Sequence, residues 1–146
     1  GYIVKQIKDY QSGNRADETM TGMAATLTSI EDVKDIAAYF SQQKLKTVVA
    51  KDKAKVSNGE SLYLKGNMNN GVYACINCHG QDGKGKSADN FAFPVIGGQQ
   101  KEYLLTQLKL FKEGKRTNDP AGMMGDIAKK LADTEMDAVA EYLSTR

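Results

Sequence analysis

Both cysteines of the chain and its only histidine lie within five consecutive residues, Cys75-Ile76-Asn77-Cys78-His79. Two thiols at this spacing lie about one helical turn apart, which suits addition to the two vinyl groups of one porphyrin. The histidine that follows can turn its imidazole under the ring and ligate the iron. The pattern therefore predicts one covalent haem c on this chain, attached at Cys75 and Cys78, with His79 as an axial ligand.

Other kinds of site also use a Cys-x-x-Cys pair. A structural zinc site takes four nitrogen or sulfur ligands, and this chain offers three within five residues, so it could not complete such a site alone. A thioredoxin-like dithiol usually accompanies a βαβ pattern, which the sequence does not show. A simple disulfide gives no reason for the adjacent histidine. Covalent haem is favoured, with a dithiol or zinc module as the alternatives.

The sixth ligand of the iron cannot be a second histidine, because the chain has no other. Methionine, lysine, tyrosine or an open site remain. Met136 falls on an apolar helical face and is expected in the core, whereas Met68 lies just before the motif, on the side of the chain that leads to His79. Met123 and Met124 lie in a glycine-flanked stretch well downstream, from which they could reach the opposite face of the ring.

Composition sets the class of protein. The 146 residues suffice for one domain, or one domain plus part of another. A net charge of +2 does not suggest nucleic-acid binding, and no apolar run approaches the length of a membrane span. The N-terminus has no apolar signal region, although covalent haem attachment takes place outside the bacterial cytoplasm. We therefore expect a periplasmic location, with a signal removed or a start upstream of Gly1.

Helical periodicity covers most of the chain. It predicts helices over about 2–11, over 30–40 after a cap at Thr28 or Ser29, from Ser57 or Asn58 to Leu64, over 100–112, and over 126–144 with a bend near Asp133 and Thr134. Residues 65–71, 80–89 and 114–125 are predicted to be loops, and residues 44–53 a linker. Gly59 and Tyr63 are predicted to form a notch and a plug that meet Val139 and Tyr142 on the last helix.

The two ends of the chain resemble each other. Residues 1–43 pair with residues 102–146, and the pairs are Tyr2/Tyr103, Gln6/Gln107, Lys8/Lys109, Gly13/Gly114, Arg15/Arg116, Met20/Met124, Ala24/Ala128, Leu27/Leu131, Glu31/Glu135, Tyr39/Tyr142 and Ser41/Ser144. This predicts that residues 1–49 are the C-terminal remnant of a first unit plus a linker, and that residues 50–146 are the haem domain. Met124 has a counterpart and Met123 has none, which favours Met124 as the sixth ligand.

The front half of the first unit, with its own haem motif, would lie before Gly1. We expect the apolar faces of residues 1–43 to be covered by that segment, by another chain or by the 50–146 domain.

The chain resembles class I cytochromes c and, more closely, the dihaem cytochrome c4 family. The matching segments are Cys75–Gly80, Phe93–Gln99, Phe111–Asp119 and Met124 with the helix after it, and residues 1–43 resemble the end of the family's first domain, including Met-Thr-Gly-Met at 20–23. The resemblance implies an all-α class I fold with three to five helices around one haem, preceded by a helical half-repeat. It also implies His79 and Met124 as axial ligands, with the Pro94 carbonyl accepting the ring N–H of His79.

The resemblance implies a one-electron carrier of the bacterial periplasm, which serves redox partners such as a membrane-bound terminal oxidase and associates loosely with the membrane. No nucleophile–base or paired-carboxylate constellation stands out, so an enzyme is not expected. A cytochrome subunit of a larger oxidoreductase complex and an open-site haem sensor or enzyme are the alternatives. Lysines 84, 86, 112 and 115 either steer an acidic partner or are ordinary solvated surface.

Overall fold

The computed structural model describes residues 1–46, 48–86 and 91–146. Within these ranges the chain forms eight α-helices and no β-strand, as the all-α prediction requires. The helices are α1 (Tyr2–Ser12), α2 (Glu18–Ala25), α3 (Ile30–Ser41), α4 (Lys53–Lys65), α5 (Ile76–His79), α6 (Lys101–Lys112), α7 (Met123–Lys130) and α8 (Asp133–Ser144). Among the described helices, none is long and apolar enough to span a membrane. Parts of the predicted linker (residue 47) and of the predicted 80–89 loop (residues 87–89) lie outside the described residues.

The capping residues explain where the predicted helix bounds hold and where they fail. Helices α1, α3 and α6 lie where the periodicity predicts them, and the Ser29 hydroxyl starts α3 by accepting the Asp32 N–H at 3.0 Å. Helix α4 starts earlier than predicted, because Asp52 rather than Ser57 or Asn58 caps it and accepts the Lys55 N–H at 3.1 Å. Lys53, the last residue of the predicted linker over 44–53, is therefore the first residue of α4.

The last predicted helix is divided into α7 and α8, which are separated by Leu131 and Ala132. Helix α7 begins at Met123, so the prediction that Met123 and Met124 lie in a loop is wrong: both occupy the first turn of a helix. The break precedes the predicted bend by two residues, and Glu135 caps α8 by accepting the Ala132 N–H at 2.8 Å. Helix α2 lies in a stretch for which the periodicity predicts no helix.

Helices α4 and α8 approach each other closely at Gly59. A Cβ placed there would lie 2.0 Å from the Ala138 carbonyl oxygen and 2.8 Å from Cβ of Tyr142. One turn further along α4, the rings of Tyr63 and Tyr142 lie 5.5 Å apart between centroids. The predicted notch and plug are therefore present, but the notch faces Ala138 rather than Val139.

Each half of the molecule has its own apolar cluster. In α1–α3 the buried members are Ile7, Tyr10, Ala24 and Val33. In the second half, α4–α8 with the segments between them, a larger cluster consists of Leu62, Tyr63, Val72, Leu104, Leu131, Met136, Val139, Ala140, Tyr142 and Leu143. Met136 is fully buried in this cluster, as its helical position predicts.

Reciprocal hydrogen bonds connect α1 and α6, the first helices of the two sequence repeats, residues 1–43 and 102–146. Arg15 donates to the Tyr103 hydroxyl at 3.1 Å and to Gln107 at 2.9 Å, and its repeat counterpart Arg116 donates to the Tyr2 hydroxyl at 2.9 Å and to Gln6 at 3.2 Å. The residue types that define the sequence repeat are therefore the ones that meet across this interface.

A charge network fastens the starts of α4 and α6 to α8. The Lys101 ammonium lies 2.7 Å from Asp137 and 2.9 Å from Glu141, and Lys55 lies 2.6 Å from the other oxygen of Asp137. Hydrogen bonding to Lys101 holds the pKa values of both carboxyl groups below their ordinary range. Both carboxylates are therefore ionised at neutral pH and hold Lys101 in place.

We expect Gly59→Ala to lower the free energy of unfolding by about 2–3 kcal/mol, because α4 and α8 must separate to admit the methyl group. Denaturant unfolding of the haem-loaded protein, followed by far-ultraviolet circular dichroism, measures the effect. Gly22→Ala is the matched control, since a Cβ on this α2 glycine meets no atom within 4 Å; it should raise stability by about 0.5–1 kcal/mol. Unchanged stability of Gly59→Ala would contradict this account of the helix contact.

Candidate haem-binding site

The Cys-x-x-Cys-His segment forms a single helical turn. The Cys75 carbonyl accepts the N–H of Cys78 at 3.1 Å and that of His79 at 2.9 Å, and Gly80, with φ 75°, ends the turn. Both cysteines are half-buried, and they form no disulfide with each other. Burial raises the pKa of the Cys75 thiol to about 11. Cys75 and Cys78 therefore lie one helical turn apart, as their spacing in the sequence predicts.

The His79 ring is buried and oriented by one hydrogen bond. Its Nδ1 lies 2.9 Å from the Pro94 carbonyl oxygen. Because a carbonyl can only accept, Nδ1 carries the hydrogen, and in a neutral ring the lone pair then lies on Nε2. Burial lowers the pKa of His79, while the bond to Pro94 opposes this effect. A neutral imidazole with one ring nitrogen fixed by a carbonyl is the form that suits an iron ligand.

Tyr63 supports the residue that follows the histidine. Its buried hydroxyl donates to the Gly80 carbonyl at 2.6 Å, and burial raises the pKa of this hydroxyl. The sequence predicts Tyr63 only as a packing residue. The sequence could have indicated this hydrogen bond, since a tyrosine hydroxyl that is predicted to be buried usually finds an acceptor.

The glycine-rich loop after the motif folds back onto it. The Gly85 N–H donates to the His79 carbonyl at 2.7 Å. A Cβ on Gly80 would lie 2.4 Å from the Gly85 carbonyl oxygen, and one on Gly83 would lie 2.6 Å from the Gly97 nitrogen. Glycine is therefore required at these positions by close backbone contact around the motif.

Met124 comes from a different element, α7, which packs on α6. Its N–H and that of Gly125 donate to the same oxygen of Asp119, at 2.8 and 3.1 Å. The Met124 side chain is half-buried, whereas Met123 is 38% exposed. The Asp119 carboxylate therefore holds the main chain at Met124 and Gly125.

The four lysines considered for partner binding fall into two groups. Lys112 donates to the Leu131 carbonyl at 2.7 Å and lies 3.2 Å from Asp133, and Lys115 lies 2.7 Å from Glu113. These two charges are already compensated within the chain. Lys84 and Lys86 are exposed and flank Gly85, whose N–H bonds to His79, so they lie on the loop beside the motif.

In the parts of the chain that the structure describes, no three histidine, cysteine, aspartate or glutamate side chains are grouped so that they could hold a metal ion. The motif therefore gains no fourth ligand from elsewhere in these residues, which counts against the zinc alternative. The donor set fits haem instead: two thiols one turn apart, followed by a neutral, oriented imidazole.

Comparison with known proteins agrees with this site. Residues 56–146 match the family model for cytochrome c. Cytochrome c4 of Thiocapsa roseopersicina is 44% identical over 142 residues, which are 97% of this chain and 72% of that protein. The crystal structure of reduced recombinant cytochrome c4 from Pseudomonas stutzeri aligns with a TM-score of 0.90 at 38% identity, over 99% of this chain and 79% of that one.

A third relative is named for its partner. The thiosulfate dehydrogenase electron acceptor of Stutzerimonas stutzeri is 35% identical over 146 residues, which are 99% of this chain and 66% of that protein.

The chain belongs to the cytochrome c family and, within it, to the cytochromes c4. It has the class I cytochrome c fold and carries covalent haem c at the Cys75–Cys78 motif. Its function is electron transfer, and it is a carrier rather than an enzyme. The dithiol, zinc and haem-enzyme interpretations are therefore excluded.

Proposed function

We propose that this protein is a periplasmic one-electron carrier whose haem iron is ligated by His79 and Met124. The observation that carries the proposal is the hydrogen bond from His79 Nδ1 to the Pro94 carbonyl, because it leaves Nε2 of an oriented imidazole as the ligating atom. The haem supplies the redox couple when bound. The chain supplies ligands, a low dielectric and a surface for docking.

The choice of Met124 rests on comparing all six methionines. Met136 is fully buried in the apolar core, and the others apart from Met124 are exposed, namely Met20, Met23, Met68 and Met123. Met124 is half-buried, its main chain is held by Asp119, and it has a repeat counterpart. A soft thioether suits haem iron and raises its reduction potential relative to harder ligands.

Met124→Ala should abolish the near-infrared sulfur-to-iron charge-transfer band of the oxidised protein. It should also lower the reduction potential by on the order of 100 mV, because axial ligands set this potential. Absorption spectroscopy and a redox titration measure the two effects. Met123→Leu is the control and should leave the band in place. If the two variants behave the other way round, the ligand is Met123 and the alignment of the repeats is off by one.

For the partners, we propose that the protein receives electrons from a dehydrogenase and passes them to a membrane-bound terminal oxidase. The relative named as an electron acceptor of thiosulfate dehydrogenase supports a donor of that kind. Exposed Lys84 and Lys86 on the loop that bonds to His79 supply positive charge beside the haem site, which favours an acidic docking surface.

Lys84→Gln with Lys86→Gln should slow reduction by thiosulfate and a thiosulfate dehydrogenase about tenfold at low ionic strength, and less in high salt, because electrostatic steering is screened. Stopped-flow absorption gives the rate. Lys8→Gln with Lys44→Gln removes the same charge from exposed sites on α1 and in the segment after α3, and should change the rate little. Equal effects of the two pairs would contradict docking beside residues 84–86. No transfer to or from either enzyme would contradict the partner proposal.

For the first half, we propose that residues 1–49 are the end of a first cytochrome unit plus a linker, and that a haem-bearing front half covers the outer face of α2 and α3. This outer face consists of the exposed side chains Met20, Met23, Ile30, Tyr39 and Phe40. The 50–146 domain does not cover them, since it meets this half at the polar α1–α6 interface. The reciprocal contacts there support a repeat of one unit.

Met23→Ser with Phe40→Ser should shorten the retention of the 146-residue chain on a hydrophobic-interaction column, because it removes two of the five exposed apolar side chains of the outer face. The haem absorption should not change. Val49→Ser is the control for a single exposed apolar residue and should have a smaller effect. If the double variant is retained like the parent chain, this face is not an open apolar surface, and the proposed covering segment loses its support.

A further inference from the structure

Asp119 binds the main chain of the proposed methionine ligand. Its Oδ2 accepts the N–H of Met124 at 2.8 Å and that of Gly125 at 3.1 Å. The first N–H groups of a helix have no partner within the helix, and the positive end of the helix dipole favours a carboxylate there. One carboxylate oxygen therefore accepts two charge-assisted hydrogen bonds at the start of α7.

The path between Asp119 and Met124 is unusual. Asp119 precedes Met124 by five residues, and the chain between them places two consecutive residues in the left-handed region, Ala121 with φ 54° and Gly122 with φ 69°. Alanine adopts this conformation only at a conformational cost. The segment therefore accepts strain in an arrangement that brings the carboxylate to the Met124 N–H.

The same bond occurs in the other half of the molecule. Oδ1 of Asp17 accepts the N–H of Met20 at 2.8 Å, and Met20 is the repeat counterpart of Met124. There the aspartate lies three residues before the methionine, which is the ordinary spacing of a helix cap. The carboxylate-to-methionine bond is thus retained although two more residues separate the partners in the second half. A cap at the ordinary three-residue spacing would not need the left-handed conformations of Ala121 and Gly122.

Asp119 also follows a residue that is firmly held. Asn118 donates from its side-chain amide to Gln6 at 2.9 Å and to Asp9 at 2.6 Å. Its carbonyl accepts from Lys5 at 2.8 Å. These contacts anchor the segment to α1 across the interface between the halves. The carboxylate that binds the Met124 N–H therefore projects from a fixed support.

We propose that Asp119 is a positioning residue for the sixth ligand: it fixes the main chain of Met124 so that the thioether stays within reach of the iron. The inference rests on the proposed function, in which Met124 is that ligand. Without the carboxylate, the first turn of α7 loses the acceptor of two N–H groups and is freer to move. An external ligand then competes more easily for the sixth position.

The test is an imidazole titration of the oxidised, haem-loaded protein. Asp119→Ala should tighten imidazole binding about tenfold and weaken the charge-transfer band, because it removes a hydrogen bond to a charged group. Asp119→Asn keeps one acceptor oxygen and should have an intermediate effect. It replaces the alanine variant in the test if that variant does not fold with its haem attached. Asp17→Ala removes the same bond in the other half and should leave both readouts unchanged.

Wild-type imidazole affinity in Asp119→Ala, or in Asp119→Asn where only that variant matures, would overturn the proposal. An equal change in Asp17→Ala would also overturn it, since the effect would then be a general loss of stability. A charge-transfer band that persists in Met124→Ala would instead show that Met124 is not the ligand. The two failures are therefore distinguishable.

Discussion

The close approach of α4 and α8 at Gly59 determines where the haem-binding residues lie. With no side chain at this position, the two backbones come together, and Tyr63 is placed against Tyr142 one turn later. The Tyr63 hydroxyl then reaches the Gly80 carbonyl, directly after His79. A larger residue at position 59 would displace α4, and with it the group that fixes the end of the haem-binding turn. The helix contact and the site are therefore parts of one arrangement.

The interface between the halves depends on two buried arginines. Arg15 and Arg116 are each almost fully buried, and each lies over an aromatic ring of its own half, Tyr10 and Phe111. A buried guanidinium is costly unless its donors are satisfied, and here part of the acceptors come from the opposite half. The relative orientation of the halves is thus specified by polar geometry, which a purely apolar interface would constrain less.

The two proposed axial ligands are restrained in the same physical way. The Pro94 carbonyl orients His79 through its ring nitrogen, and the Asp119 carboxylate holds Met124 through its main-chain nitrogen. Pro94 lies 15 residues after His79 in the sequence. Asp119 lies five residues before Met124, and a turn with a strained Ala121 separates the two. For an electron carrier this matters because a fixed ligand sphere limits the structural change that accompanies oxidation and reduction.

Local chemistry in the sequence already determined the attachment motif, the all-α class, helices α1, α3 and α6, and the notch at Gly59, because each depends on spacing within a few residues. The start of α4, the presence of α2 and the helical position of Met124 depended on capping by Asp52, Asp17 and Asp119. Several nearby residues could have served as caps, and only the folded chain selects among them. The Tyr63–Gly80 hydrogen bond joins residues that are far apart in the sequence. The same holds for the hydrogen bonds from Arg15 to Tyr103 and from Arg116 to Tyr2. Periodicity reports which face of a helix is apolar, but the tertiary structure alone decides which surface that face meets.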